Sequence, residues 1–285
     1  MKEIIFTAKP NKEVDELYPE FKEFYLNFKN IAEKYHTCES VSLPDIWVRD
    51  FLPIENVKTG KLYNLFYDPT YNRGFLKNFY AKIRTAVKKE FPKAQDLPVR
   101  MDGGNLTVNS QGIAFAFEKS VTVKNTSYEN LSSLLKESLG LADIVWLPRL
   151  PEAYDPFCHI DGFMQFLGDD ILLLNKSYDI DEITKKHSEK CFKIINSKYP
   201  NLKIIELPVN VEPYDTLSAK GIYVNFLETS KAVFVPQYNL PQDKEVFDII
   251  KVLTAKDVVG IDCEKISKYA GSLHCLTSTQ IVKGD

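Results

Sequence analysis

The chain repeats itself five times. Apolar-alternating runs, each leading through a polar turn into a second apolar run, start at residues 47, 105, 163, 223 and 273. The starts lie 58, 58, 60 and 50 residues apart, and one fifth of the 285 residues is 57. A chain copied at such a period folds as stacked or ring-closed units, because each unit alone leaves an apolar face uncovered. The runs are Trp47 to Ile54 with Leu62 to Phe66, Asn105 to Ala116, Phe163 to Leu174, Tyr223 to Val235, and the opening Leu273 to Thr277. Alternation about a polar turn is the pattern of a β-hairpin.

What separates the hairpins is regular too. Phe75, Phe79, Ile83 and Val87 recur at helical spacing and stop at Phe91-Pro92. Tyr128, Leu131, Leu135 and Leu139 do the same, with Ser127 placed to cap the start and Gly140 to end it. Ile183, His187, Cys191 and Ile194 predict a third helix, and Val246, Ile249, Ile250 and Leu253 a fourth. A short strand follows each: Leu97 to Met101, Asp143 to Leu147, Lys203 to Leu207, Asp257 to Ile261. The unit is therefore ββαβ. The fifth hairpin begins too near the C-terminus to carry its own helix and strand, so a helix around Glu13 to Lys34 and a strand near Glu39 to Leu43 must complete it. The expected fold is α/β: a five-bladed propeller of ββαβ units, closed by N-terminal elements around a central channel. It forms one domain over residues 1–285, with sequential two-domain folding the minor alternative.

Composition narrows the partners. A net charge of −3 gives no electrostatic reason to expect nucleic acid or a membrane surface. No apolar run approaches the length of a membrane span, and the N-terminus lacks a secretory h-region and cleavage site. The five cysteines are scattered, without a CxxC pair or a disulfide framework. The expectation is a protein of a reducing compartment, most simply the cytoplasm, with no CxxC metal site; composition says nothing of the oligomeric state, and a homodimer is left open.

Residues able to do chemistry collect at the hairpin starts. The first repeat carries Arg49-Asp50, the second Asp102-Gly103-Gly104-Asn105, the third Cys158-His159-Ile160-Asp161-Gly162, and the fifth Gly271 to Cys275. Hairpin starts share one end of a ring, so Asp50, Asp102, His159, Asp161 and Cys275 should converge. A thiol, an imidazole and three carboxylates suit a nucleophile with its base and orienting groups. Taken singly, each has a plainer reading. The aspartates fit turn positions, Gly103-Gly104 a turn with positive φ, and the cysteines core filler. His36 and His187 read as surface or packing residues. His274 should alternate away from Cys275 along a strand. Cys158 is the second thiol to watch.

Four ordered motifs, Asp45 to Pro53 (Asp-Ile-Trp-Val-Arg-Asp-Phe-Leu-Pro), Asp102 to Asn105, His159-Ile-Asp161-Gly and Leu273-His-Cys275-Leu-Thr, resemble those of the agmatine deiminase and bacterial peptidylarginine deiminase-like family. The flanks agree: Val145 to Pro148, Tyr223 to Leu227, Val235 to Tyr238 and Val258 to Asp262. That family belongs to the guanidine-modifying superfamily, whose pentein fold sets five ββαβ units about a pseudo-fivefold axis.

The resemblance implies a hydrolase that deiminates a guanidino compound, agmatine first, with Cys275 as nucleophile and His159 as general acid and base. Asp50 and Asp161 would grip the guanidinium, Asp102 would orient His159, and Trp47, Arg49 and Asn105 stand in the matched motifs as substrate-binding candidates. No organic cofactor or metal is implied. The loop Val209 to Lys220, with Glu212, Tyr214 and Asp215, is a candidate for the substrate's far end or a plain surface loop. The chain departs from the family at Ala270 and Ser272, where glycines and Asn are usual, at Asp102, where Glu is usual, and at Phe51-Leu52, where Thr-Gly is usual. Because the cysteine, the histidine and both guanidinium-binding aspartates are retained, these departures put only the substrate in doubt, with free or peptidyl arginine beside agmatine. Amidino transfer by the same residues and a non-catalytic binding propeller, against which the intact set argues, are the alternative readings.

Overall fold

Each of the five repeats folds into its own three-stranded sheet, two strands antiparallel and the third parallel across a helix. The computed structural model describes residues 2–67, 77–118, 127–176, 181–209 and 217–282. The first full unit runs β3 (Ile54–Glu55), β4 (Leu62–Asn64), α4 (Lys77–Glu90) and β5 (Gln95–Asp96). The second is β6 (Thr107–Val108), β7 (Ile113–Phe117), α5 (Tyr128–Leu139) and β8 (Asp143–Leu147), and the third β9 (Met164–Leu167), β10 (Ile171–Asn175), α6 (Glu182–Lys198) and β11 (Lys203–Leu207). The fourth is β12 (Leu227–Glu228), β13 (Ala232–Gln237), α7 (Gln242–Leu253) and β14 (Asp257–Asp262). The fifth joins the chain's end to its beginning. Strand β15 (Ser278–Val282) pairs antiparallel with β1 (Lys2–Ala8), Lys2 opposite Val282, and β1 pairs parallel with β2 (Thr37–Val41).

The local chemistry explains most boundaries. Helix α5 starts where Ser127 Oγ accepts the Asn130 N–H and stops at Gly140, whose φ of 70° suits a left-handed cap. Helix α6 starts at Asp181, whose carboxylate accepts the N–H groups of Ile183 and Thr184. The N-terminal helix is not continuous: α1 (Lys12–Leu17) ends before Pro19, and α2 (Phe21–Ala32) begins after it. Proline lacks the N–H and disfavours helical backbone in the preceding residue, which breaks the expected Glu13 to Lys34 helix there. Leu97 to Met101 is not a regular strand, yet the Leu97 N–H reaches Asn64 O and the Phe66 N–H reaches Val99 O, so the pairing continues past β5. Phe75, expected to open the first inter-hairpin helix, lies outside the described residues.

The helices bury their apolar stripes on the sheets. In α2 the buried Phe21, Phe24 and Phe28 form a row that meets Phe234 of β13, 5.8 Å from Phe28 between ring centroids. Each such ring contributes ~1.5–3 kcal/mol by leaving water. Among the described residues no helix is long and apolar enough to cross a membrane.

One feature of the repeat positions everything that follows. Immediately before the first strand of its unit, the chain makes a single helical turn or bend: α3 (Val48–Phe51), Gly103–Asn105, Ile160–Gly162, residues 223–224 and residues 273–276. The motifs sit on these turns, not on the strands themselves.

Candidate active site

The five turns meet. The Arg49 N–H donates to the Cys275 carbonyl at 3.1 Å, and the Gly104 N–H to Asp50 Oδ1 at 3.1 Å. His159 Nε2 donates to Asp102 Oδ2 at 3.0 Å while its Nδ1 lies 3.6 Å from Asp50 Oδ1. The Cys275 thiol points at Asp161 Oδ2, 3.6 Å away. All five proposed catalytic residues are thus brought together. Asp50, His159, Asp161 and Cys275 line one cavity of about 740 Å³, and Asp102 backs His159.

Glycines make the approach feasible, through space rather than conformation. Neither Gly103 nor Gly104 has positive φ, contrary to the turn reading. A Cβ on Gly103 would stand 2.1 Å from the Arg49 carbonyl oxygen. One on Gly104 would stand 2.6 Å from Asp50 Oδ1 and 2.9 Å from His159 Nδ1. Gly271 likewise leaves room for the Trp47 ring, 2.2 Å from where its Cβ would be.

Charge is arranged unevenly. Burial would push the His159 imidazole down, but Asp50, Asp102 and Asp161 together outweigh it and raise its pKa to about 10. Burial raises Asp50, with His159 opposing. Burial also opposes ionisation of Asp161, yet the His274 hydrogen bond and the charges of His159 and Arg49 hold its carboxyl below the usual range. Cys275 is driven strongly upward by burial, then by the carboxylates of Asp161 and Asp50. Without a bound cation, then, this is a protonated thiol beside a charged imidazolium.

Two residues emerge that sequence reasoning left aside. His274 does not face away from the site: Nδ1 donates to Asp161 Oδ2 at 2.7 Å. Residues 273–276 form a turn, so strand alternation does not apply to them. Burial and then Arg49 lower the His274 pKa to about 4, leaving it a neutral donor. Asn225, from the fourth repeat, donates Nδ2–H to Cys275 Sγ at 3.2 Å and to the Asp161 carbonyl at 3.1 Å. Its Oδ1 accepts the N–H groups of His274 and Cys275 at 3.0 and 3.3 Å. Its position two residues before β12, as Asn105 stands two before β6, was the available signal.

The remaining candidates divide. Trp47 lines the cavity, its Nε1–H on the Tyr18 hydroxyl at 3.2 Å, and that hydroxyl donates to Asp45 at 3.0 Å. Arg49 is instead a half-buried brace, Nε donating to the His274 carbonyl at 3.4 Å. Asn105 is wholly buried, with Oδ1 and Nδ2 both on the Phe117 backbone at 3.0 Å. That bonding shapes the second unit and sets Asn105 away from the cavity wall, where it was expected to bind substrate. Cys158 is buried at φ 60° and is not among the cavity residues. His36 and His187 are both buried, so neither is a surface residue. Of the loop Val209 to Lys220, Val209 and Leu217 to Ala219 reach the cavity; Glu212, Tyr214 and Asp215 lie outside the described residues. Among the described residues no group of three His, Cys, Asp or Glu side chains is placed to hold a metal ion.

Known proteins carry the same arrangement of units. The model of the Porphyromonas-type peptidyl-arginine deiminase family matches residues 6–280. The agmatine deiminase of Medicago truncatula is 24% identical over 301 aligned positions, covering 89% of this chain and 80% of the relative. That of Pseudomonas fluorescens is 22% identical and covers 84% of this chain and 75% of the relative. The structure of the C. jejuni agmatine deiminase superposes with a TM-score of 0.78 at 19% identity, over 98% of this chain and 93% of that one.

Proposed function

The chain belongs to the Porphyromonas-type peptidyl-arginine deiminase family, and on that premise we propose that it hydrolyses a guanidino C–N bond, converting agmatine to N-carbamoylputrescine and ammonia. We read residues 1–285 as one catalytic domain for this reaction. The observation that carries the proposal is the buried carboxylate of Asp161: Oδ2 holds His274 and faces the Cys275 thiol, while Oδ1 is buried without a hydrogen-bond partner. An unpaired carboxylate oxygen costs free energy unless a donor arrives. A planar, forked guanidinium supplies donors in the geometry a carboxylate accepts.

The chemistry follows from the charges. A guanidinium gripped by Asp161 and Asp50 offsets the two carboxylates that hold the Cys275 proton, so substrate binding favours the thiolate and the thiol proton passes to solvent. The thiolate attacks the guanidinium carbon, forming a C–S bond and a tetrahedral adduct. His159, protonated in the resting site, gives its proton to the departing nitrogen; the C–N bond breaks and ammonia leaves a thiouronium on Cys275. The imidazole, now neutral, takes a proton from water. The resulting hydroxide adds to the same carbon; the adduct loses its hydroxyl proton to solvent as the C–S bond breaks, which frees the thiolate and releases the neutral ureido product. Asp102 keeps Nε2 of His159 occupied throughout, so Nδ1 faces the reacting atoms.

Charge around the cavity supports agmatine over arginine. Beyond Asp50, Asp161 and His159, the described lining holds Asp45, Glu152 and Asp155 against one further cation, Lys268; Lys268 is itself paired with Glu20, and Glu152 with Arg149. A distal ammonium is favoured there and a distal carboxylate is not. The test measures ammonia and ureido product from agmatine, arginine and an arginyl peptide, with wild type and Cys275→Ala. Release from agmatine that vanishes in Cys275→Ala supports the reading; no release from any guanidine sinks it.

A further inference from the structure

Two residues that line the cavity, Asn175 and His187, each keep one buried acceptor without a hydrogen-bond partner, Oδ1 and Nδ1. Both residues are more than nine-tenths buried, with 6% and 8% exposure. The donor nitrogen of each already has an acceptor. Asn175 Nδ2 donates to the Gly162 carbonyl at 2.6 Å, which fixes Oδ1 as the open end of the amide. His187 Nε2 lies 2.7 Å from the Pro148 carbonyl, an acceptor only, so the proton resides on Nε2 and Nδ1 presents a bare lone pair. Burial holds this imidazole below its ordinary pKa, with the Pro148 bond and Asp155 offsetting part of the effect.

The two residues share an anchor. Asn175 bonds Gly162 and, through its N–H, the Phe163 carbonyl at 3.0 Å. The His187 ring stands edge-on to Phe163 at 5.2 Å and tilted on Phe117 at 5.6 Å. Gly162 and Phe163 directly follow Asp161, so these acceptors hang from the segment that carries the guanidinium clamp. Buried acceptors without donors call for a ligand that brings only donors, and ring faces beside them suit a cation.

We propose that Asn175 Oδ1 and His187 Nδ1 form a second subsite of the cavity, one that binds the distal primary ammonium of an aminoalkylguanidine. This rests on the deiminase reading above and adds the residues that select the far end of the substrate. Asp155, on the same cavity, supplies the long-range charge, and the two neutral acceptors supply the hydrogen bonds.

The test compares agmatine with n-butylguanidine, which has the same chain and no distal amine. In His187→Phe, which keeps a ring against Phe117 and Phe163, and separately in Asn175→Leu, the ratio of kcat/KM for agmatine to that for n-butylguanidine should fall at least tenfold, through KM. Thermal melts establish that each variant is folded. An unchanged ratio, or an equal loss on both substrates, overturns the subsite. Calorimetry of both guanidines on the Cys275→Ala background reads binding without turnover. Absent ammonia release in wild type therefore counts against deimination, whereas an unchanged ratio of Kd values counts against the subsite.

Discussion

Asp161 and Cys275 stand 3.6 Å apart, carboxylate Oδ2 to Sγ, in a site where the carboxylate is ionised and the thiol is not. The same group that is proposed to bind the substrate thus suppresses the nucleophile until a cation arrives. Asp161→Asn separates these effects. Turnover should fall by roughly 10³ or more, since the charge-assisted grip on the guanidinium is lost. Alkylation of Cys275 by iodoacetamide should meanwhile begin at lower pH, because a carboxylate that raises the thiol pKa is gone. A thiol titration that stays put or moves upward would show that burial alone sets it.

His159 makes the second prediction. Its pKa in the fold, about 10, lies above the ordinary imidazole value near 6.5. The stabilisation from its contacts with Asp50 and Asp102 is therefore full below about pH 6.5 and is lost as pH rises toward 10. The Tm difference between wild type and His159→Gln should be largest near pH 6 and shrink steadily to pH 10. A difference independent of pH contradicts the ionic origin of the shift.

Gly104 supplies the third. A methyl group there would meet Asp50 Oδ1 at 2.6 Å and His159 Nδ1 at 2.9 Å, both in the reacting layer. Gly104→Ala should cost ~1–3 kcal/mol of stability through overpacking. It should also lower kcat by roughly 100-fold, because small displacements of positioned groups cost that much. Near-native kcat would mean that Asp50 and His159 need not hold their observed positions.

The repeat was readable because hairpin, helix and strand each leave a periodic trace, and the fifth unit's shortage of residues pointed to an N-terminal helix and last strand; that its second strand is N-terminal too, β1 paired with β15, was not foreseen. Cys275, His159, Asp50, Asp102 and Asp161 were readable for the same reason: equivalent turns in a ring converge. Asn225 was missed, because its amide works by hydrogen bonds to the Cys275 thiol and to the backbone of Asp161, His274 and Cys275, and its one trace in the sequence is a repeat position shared with Asn105. His274 was misdirected by a strand rule applied to a turn. The break at Pro19 was written in the chain, though the longer apolar periodicity masked it.

Ala270 carries the last prediction. It is a non-glycine residue at φ 67°, one position before the Gly271 that makes room for Trp47. Left-handed backbone costs an ordinary residue roughly 1–2 kcal/mol. Glycine removes that strain but adds freedom to the unfolded chain, worth roughly 0.5–1 kcal/mol. The strain should win by about 0.5–1 kcal/mol, so Ala270→Gly should raise Tm by about 1–3 °C, a small shift set by the size of the chain. Because the backbone already adopts the conformation glycine prefers, Trp47 and Cys275 should hold their places and kcat/KM for agmatine should change less than twofold. A lower Tm would mean that the Ala270 methyl packs well enough against the cavity wall to outweigh its strained backbone.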